Sequence, residues 1–151
     1  MAHTGYTVQM LTRDVEIVLH NGVILKGQIF VSEYSRLHAG SEMINEFFEN
    51  ESQFFPVRVN NDIIILSKGS VLLVTYPVEE DYSIYNIAVA EFFLSNGKSL
   101  TAEVPIQAQT PHPRLSDQIN LPERFLVTLT GARQKITLIN KTHITYLMEK
   151  K

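Results

Sequence analysis

The side chains that could do chemistry are few, and their spacing suits no common active site. The chain contains no cysteine, which excludes thiolate catalysis and cysteine-bound metals. No two of its histidines have the i, i+4 spacing on a predicted helix that a zinc site uses. The five histidines are His3, His20, His38, His112 and His143. We therefore expect no metal, no cofactor and no enzymatic activity.

The most regular polar motif is the segment RLSDQIN. Its residues Arg114, Asp117 and Asn120 are three positions apart, so a short helix would place them on one side, where they could bind a ligand. The competing interpretation is structural, with Ser116 and Asp117 capping the helix and Asn120 ending it in the left-handed conformation. We favour the structural interpretation.

One functional hypothesis is an enzyme with a site around Arg114, Asp117 and His143. His143 stands at the start of an apolar strand, where an imidazole is more often a hydrogen-bonded structural group than a catalyst. The acidic run Glu79, Glu80 and Asp81 is expected to be solvated, with nothing to raise a carboxyl pKa. Both observations favour a protein that is not an enzyme.

The elements that must position these residues occur twice in the chain. A shift of 75 residues aligns VEIVLHNGVIL (15–25) with AEFFLSNGKSL (90–100). Such repetition indicates a duplicated structural unit. We place repeat one at 12–76, an acidic linker at 77–83 and repeat two at 84–150.

Each repeat is predicted to contain five short strands and one short helix. Asn21-Gly22 and Asn96-Gly97 lie between apolar alternations, which is typical of two-residue hairpin turns. Ser41 and Ser116 are the expected helix N-caps. The later strands are predicted at 54–59, 62–67 and 70–76 in repeat one and at 125–130, 134–140 and 143–148 in repeat two. The predicted fold is all-β, a tandem of two small five-stranded SH3-like or Sm-like barrels, each with a short helix.

Repeat one also carries a cluster of four phenylalanines. Phe54 and Phe55 are expected in the core, whereas neighbours on a helix point apart, so either Phe47 or Phe48 stays exposed unless another surface covers it. We favour packing within the chain or between copies of it as the explanation for the cluster.

Three segments of repeat two resemble a bacterial family described as a domain of unknown function. They are RLSDQIN (114–120), FLVTLT (125–130) and INKTHITYL (139–147). The family pattern is Arg-Leu-Ser-Asp-x-Leu/Ile-Asn, then Phe-Leu-x-Leu, then Asn-Lys/Arg-x-His-Ile. Repeat one is similar to a degenerate copy of it, with Glu42, Ser67 and Ser70 at departing positions. The resemblance implies the fold and brings no activity.

A second resemblance is to the Sm-like RNA-binding barrels. IVLHNGVILKGQI with Ile44-Asn45 is similar to their first motif, and Lys68-Gly69-Ser70-Val71 to their second. This resemblance implies an RNA-binding alternative. The candidate ligand-binding residues taken together are Arg36, Asn45, Lys68, Arg114, Asp117, Asn120, Lys141 and His143.

The charges differ in sign between the repeats. Repeat one has five basic and eight acidic residues, the linker has three acidic residues, and 84–151 has eight basic and five acidic. Opposite signs favour packing of one repeat against the other or between chains, and the lack of a basic surplus weakens the RNA alternative.

The preferred function is therefore a non-enzymatic interaction or scaffold module that binds a protein partner or a further copy of itself. RNA is the alternative partner, and no membrane association is expected. The longest apolar run, Ile63–Leu66, is too short to cross a bilayer, and the start of the sequence lacks a signal-peptide pattern. A cytoplasmic location is expected.

Overall fold

A computed structural model describes residues 10–151, and within that range the chain is nearly all-β. The first half contains β1 (Met10–Leu19), β2 (Ile24–Ser32), α1 (Ile44–Phe48), β3 (Phe54–Val59), β4 (Asp62–Ser67), a 3-10 turn (Lys68–Ser70) and β5 (Val71–Pro77). The second half contains β6 (Asn86–Leu94), β7 (Ser99–Ile106), α2 (Leu115–Ile119), β8 (Phe125–Thr130), β9 (Lys135–Asn140), a 3-10 turn (Lys141–His143) and β10 (Ile144–Lys150). The later strands coincide with their predicted ranges to within two residues.

The ten strands form one open antiparallel sheet in the order β10-β6-β7-β8-β9-β5-β1-β2-β3-β4. Each half uses the same pairings. Its first strand pairs with its second and fifth, its second with its third, and its third with its fourth. The halves join where β5 pairs with β9. The all-β class is confirmed, whereas the sheet runs through both halves without dividing into two separate sheets.

The first hairpin of each half is built from the same hydrogen bonds. Gly22 and Gly97 have φ angles of 93° and 89°, which glycine adopts without a steric penalty. The Asn21 and Asn96 side-chain oxygens each accept an N–H two residues later at 3.1 Å. Hairpins at the two Asn-Gly pairs are thus confirmed, but the prediction of two-residue turns is wrong. The Leu19 N–H donates to the Val23 carbonyl and the Leu94 N–H to the Lys98 carbonyl, so each loop has three residues.

The helices are capped from their third residue. The Met43 N–H donates to Glu46 Oε1 (3.2 Å), and the Arg114 N–H donates to Asp117 Oδ2 (2.8 Å). These carboxylates occupy orphan backbone donors in the first turn. The prediction that Ser41 and Ser116 are the N-caps is wrong, because the caps lie at Met43 and Arg114.

Two apolar cores lie along the sheet. The first consists mainly of first-half residues, yet four second-half residues complete it. The second consists of second-half residues and Leu72. The four contributors to the first core are Phe125, Leu129, Ile136 and Leu138. The β8–β9 hairpin is therefore buried on both faces, one in each core.

The phenylalanine cluster partly contradicts the sequence-based expectation. Phe47 and Phe48 are both buried. Phe48 packs against Phe125 of β8 with ring centroids 5.3 Å apart, and Phe47 packs against Phe55 with ring centroids 5.7 Å apart. Phe55 is buried as predicted, but the placement of Phe54 in the core is wrong, since alternate residues of β3 face opposite sides of the sheet and Phe54 faces outward.

Candidate functional site

The two halves meet along the seam between β5 and β9. Five residue pairs form this ladder, from Leu73 opposite Ile139 to Pro77 opposite Lys135. Across it the Thr75 and Thr137 hydroxyls are hydrogen-bonded at 3.2 Å. The seam therefore joins the fifth strand of one half to the fourth strand of the other.

Side chains next to the seam tie loops of one half to strands of the other. The Glu49 carboxylate, just after α1, accepts the main-chain N–H groups of Arg124 (2.8 Å) and Phe125 (3.0 Å). The buried Asn140 amide donates to the carbonyls of Lys68 (3.2 Å) and Val71 (2.9 Å). Each bond satisfies a main-chain group that lies at the junction.

The same strand positions are buried at the seam and exposed at the free edge. β3 and β4 correspond to β8 and β9, because Phe54 pairs with Ser67 as Phe125 pairs with Asn140. Three equivalent pairs, with the exposed fraction of each residue, are Phe54 (61%) and Phe125 (3%), Ile63 (53%) and Ile136 (1%), and Ile65 (61%) and Leu138 (0%). We call Phe54, Ile63 and Ile65 the exposed hairpin face.

The second half has an open groove where the first half has a filled core. Phe125 and its neighbours in β8 and β9 pack over α1 and β5 of the first half. The equivalent surface over α2 and β10 is an open groove of about 780 Å³. Its lining includes Ile87, Ala88, Ile106, Ile119, Asn120 and Leu147. We call it the second-half groove.

No family model, no curated protein and no solved structure matches the chain. The geometry of the site must therefore carry any functional conclusion.

The sequence-predicted residues Lys68 and Lys141 have equivalent structural positions. Lys68 Nζ donates to the Asn50 carbonyl and Lys141 Nζ to the Leu121 carbonyl, both at 2.8 Å. Each lysine thus ties a 3-10 turn to the loop after the helix of its own half. Burial lowers the pKa of both amines, that of Lys68 to about 8.

His143 takes part in a network of polar side chains between the halves. Its Nε2 lies 2.7 Å from the Gly69 carbonyl, and its Nδ1 lies 3.1 Å from Ser95 Oγ. Ser95 Oγ is in turn 3.0 Å from His20 Nε2, and the two imidazoles are stacked with centroids 4.5 Å apart. The expectation of a hydrogen-bonded imidazole is confirmed, although His143 lies in a 3-10 turn rather than in the strand itself.

The polar residues of the RLSDQIN segment cap and end α2, as the structural interpretation predicts, although some of their individual roles differ from the prediction. Asp117 caps α2 and lies 3.6 Å from the Arg114 guanidinium. Asn120 ends the helix and donates to the Ser116 carbonyl (2.9 Å). The predicted left-handed conformation of Asn120 is wrong, since its φ is −82°.

The remaining predicted residues do not converge on one site. Arg36 and Asn45 line an open hollow in the first half that is also lined by several carboxylates. Arg114 and Asn120 line the second-half groove. Asp117 belongs to the α2 cap.

The acidic linker is less solvated than the sequence indicates. Glu79 accepts the N–H of Ile44 at 2.9 Å and lies 4.0 Å from the Arg13 guanidinium. Burial raises the pKa of Glu79. The expectation that nothing desolvates the run Glu79–Asp81 is therefore wrong for Glu79.

Two further features concern the described part of the chain. Within residues 10–151, no group of three or more histidine, cysteine or acidic side chains is placed to hold a metal ion. None of the helices in this range has the length and apolar character needed to cross a membrane.

The exposed hairpin face is the feature that the sequence-based prediction missed. The signal available for it was the match between β4 and β9 at a shift of 73 residues, which aligns Ile63 with Ile136 and Ile65 with Leu138.

Proposed function

We propose that the protein is a non-enzymatic interaction or scaffold module that binds polypeptide partners. The observation that carries this proposal is the exposed hairpin face, in which three large apolar side chains lie on the last hairpin of the sheet, two of them on its edge strand β4. Contiguous exposed apolar residues on a soluble protein mark a binding surface. A strand at the edge also presents unpaired main-chain N–H and C=O groups.

These two features together favour an extended polypeptide as the partner. An added strand can pair with the main chain of β4, while its side chains pack beside Ile63 and Ile65. The edge lacks the usual protection against such pairing, because its central residues are Ile63, Ile64 and Ile65 rather than lysine or proline.

We also propose that the two halves descend from one small barrel-like unit and act as a tandem. Their identical strand pairings, hairpin turns and lysine anchors support this interpretation.

Photo-crosslinking in the cell of origin tests the interaction function. A photoreactive phenylalanine analogue in place of Ile65 should capture polypeptide. The matched control is the same analogue in place of Ile84, which is exposed but lies in the connection between β5 and β6. Capture at position 65 alone supports the proposal, and no capture there contradicts it.

RNA binding is the weaker candidate. The Lys68 and Lys141 amines already donate to main-chain carbonyls, so they would have to give up these bonds to contact phosphates. Retention on single-stranded RNA at low salt, lost in steps as salt rises, would favour this alternative. No retention at low salt would dismiss it.

A further inference from the structure

We propose that copies of this chain associate head to tail, with β4 and the exposed hairpin face of one copy docking on β10 and the second-half groove of the next. This inference rests on the proposed function and names its partner. At the seam between the halves, a fifth strand, β5, pairs with a fourth strand, β9. The two strands left at the ends of the sheet are again a fourth strand, β4, and a fifth strand, β10.

The strand register of the internal seam also predicts the register between β10 of one copy and β4 of the next. β4 and β5 align with β9 and β10 at a shift of 73 residues, from Asp62 to Lys135 and from Val71 to Ile144. Applied to the internal ladder, this shift pairs β10 of one copy with β4 of the next. The expected pairs are Tyr146 with Leu66, Leu147 with Ile65, Met148 with Ile64, Glu149 with Ile63, and Lys150 with Asp62.

Four of these five pairs are chemically suited to each other, whereas Glu149 opposite Ile63 sets a carboxylate beside an apolar side chain. Three of them join apolar side chains, and Tyr146 and Met148 are exposed in the single chain. Lys150 opposite Asp62 joins opposite charges, which favours cross-strand pairing. Such an arrangement would cover apolar side chains that are now in water.

The exposed hairpin face has a matching cavity in the next copy. Phe125 packs on Phe48 at the internal seam. Phe54 corresponds to Phe125, and Ile119 corresponds to Phe48, so Phe54 would enter the second-half groove beside Ile119. Within residues 10–151, no hairpin packs over this groove.

One polar contact of the seam can also be repeated. Asn120 occupies the position of Glu49, at the end of the helix. Its side-chain oxygen would accept the N–H groups of Gln53 and Phe54 from the next copy, as Glu49 accepts those of Arg124 and Phe125. This contact gives Asn120 a role between copies in addition to ending α2.

A head-to-tail contact uses two different surfaces, so it closes into a ring or continues as a filament. A head-to-tail contact can be recognised by mixing two variants, each of which has one of the two surfaces blocked. Ile65→Asp blocks the β4 side and keeps β10, whereas Met148→Asp blocks the β10 side and keeps β4. Both positions are exposed in the single chain, so both variants should keep its fold, and circular dichroism checks this.

The experiment is sedimentation velocity on the purified full chain. The wild type should form species larger than 17.2 kDa, while each variant alone should stay monomeric. An equimolar mixture of the two should form a one-to-one dimer and nothing larger, because only one working contact can form. Ile84→Asp, the control, should assemble as the wild type does.

Three results would overturn the inference. They are a wild type that stays monomeric at its highest attainable concentration, a Met148→Asp variant that still self-associates, and a mixture of the two variants that stays monomeric. Capture of other proteins at position 65 in the cell would leave the proposed function standing in each case. A loss of all capture there would remove both.

Discussion

Phe54 and Phe125 begin equivalent strands in the two halves, yet Phe54 is 61% exposed and Phe125 is 3% exposed. The difference arises from what lies beside each strand. β9 pairs with β5 of the preceding half, whereas β4 ends the sheet. The same apolar residue is therefore a core residue at one position and a surface residue at the other.

Truncating these two phenylalanines should separate their energetic roles. Phe125→Ala removes a ring that contacts Phe48, and it should lower the free energy of unfolding by about 3–5 kcal/mol. Phe54→Ala should change it by no more than about 0.5 kcal/mol in dilute solution, since little apolar area is lost. Urea denaturation at low protein concentration measures both. Equal losses in the two variants would show that Phe54 is also a core residue.

The sequence predicts the local structure of this chain better than it predicts which surfaces are covered. The strand periodicity and the Asn-Gly turns depend on neighbouring residues, and both were placed correctly. The burial of Phe48 and the exposure of Phe54 depend on how the two halves meet. That contact joins residues about 75 positions apart, which no local pattern encodes.

Removing the Glu49 carboxylate should weaken the junction between the halves. Glu49→Ala leaves the N–H groups of Arg124 and Phe125 without their acceptor, which should lower the free energy of unfolding by about 1–3 kcal/mol. Glu51→Ala, in the exposed loop two residues later, is the matched control and should change it by less than about 0.5 kcal/mol. Chemical denaturation compares the two. A loss in the control as large as that in Glu49→Ala would contradict the assignment.

Buried lysine makes stability depend on pH in the alkaline range. The pKa of Lys68 falls from 10.5 to about 8 on folding, mainly because burial disfavours the charged amine. Between these values the unfolded chain binds more protons than the folded one, so the free energy of unfolding should rise with pH from about 8 to 10. Lys141, whose pKa burial also lowers, acts in the same direction.

Tyrosine sets the upper limit of that window. Burial raises the pKa of both Tyr76 and Tyr82 above the usual value of 10.0, so above pH 10 the folded chain retains more phenolic protons and stability should fall again. Urea denaturation across pH 7.5–10 measures the rise. Lys68→Met should reduce its slope, and the double variant with Lys141→Met should reduce it further. An unchanged slope in both variants would exclude the lysines as its origin.

The candidate site differs from the predicted one because its polar residues serve the fold. Three of the predicted ligand-binding residues are hydrogen-bonded to the main chain instead. The Lys68 and Lys141 amines donate to carbonyls of loops, and the Asp117 carboxylate accepts an N–H at the start of α2. Arg114 and Asn120 line the second-half groove, so these two residues belong to both the predicted set and the proposed interface. A duplicated polar motif therefore indicated duplicated structure.

Gly27 should be the least replaceable of the described glycines. A Cβ there would overlap the Arg58 carbonyl and lie 3.0 Å from Val57 Cγ1, so β2 and β3 could not keep their close approach. Gly27→Ala should lower the free energy of unfolding by about 1–3 kcal/mol, more than the gain of about 0.4–1 kcal/mol from a less flexible unfolded chain. Gly69→Ala is the control, because its nearest atom would be Ser67 Oγ at an ordinary 3.6 Å, and it should leave stability unchanged or slightly raised. Thermal and urea denaturation decide the outcome, and a neutral Gly27→Ala would mean that the two strands can separate without cost.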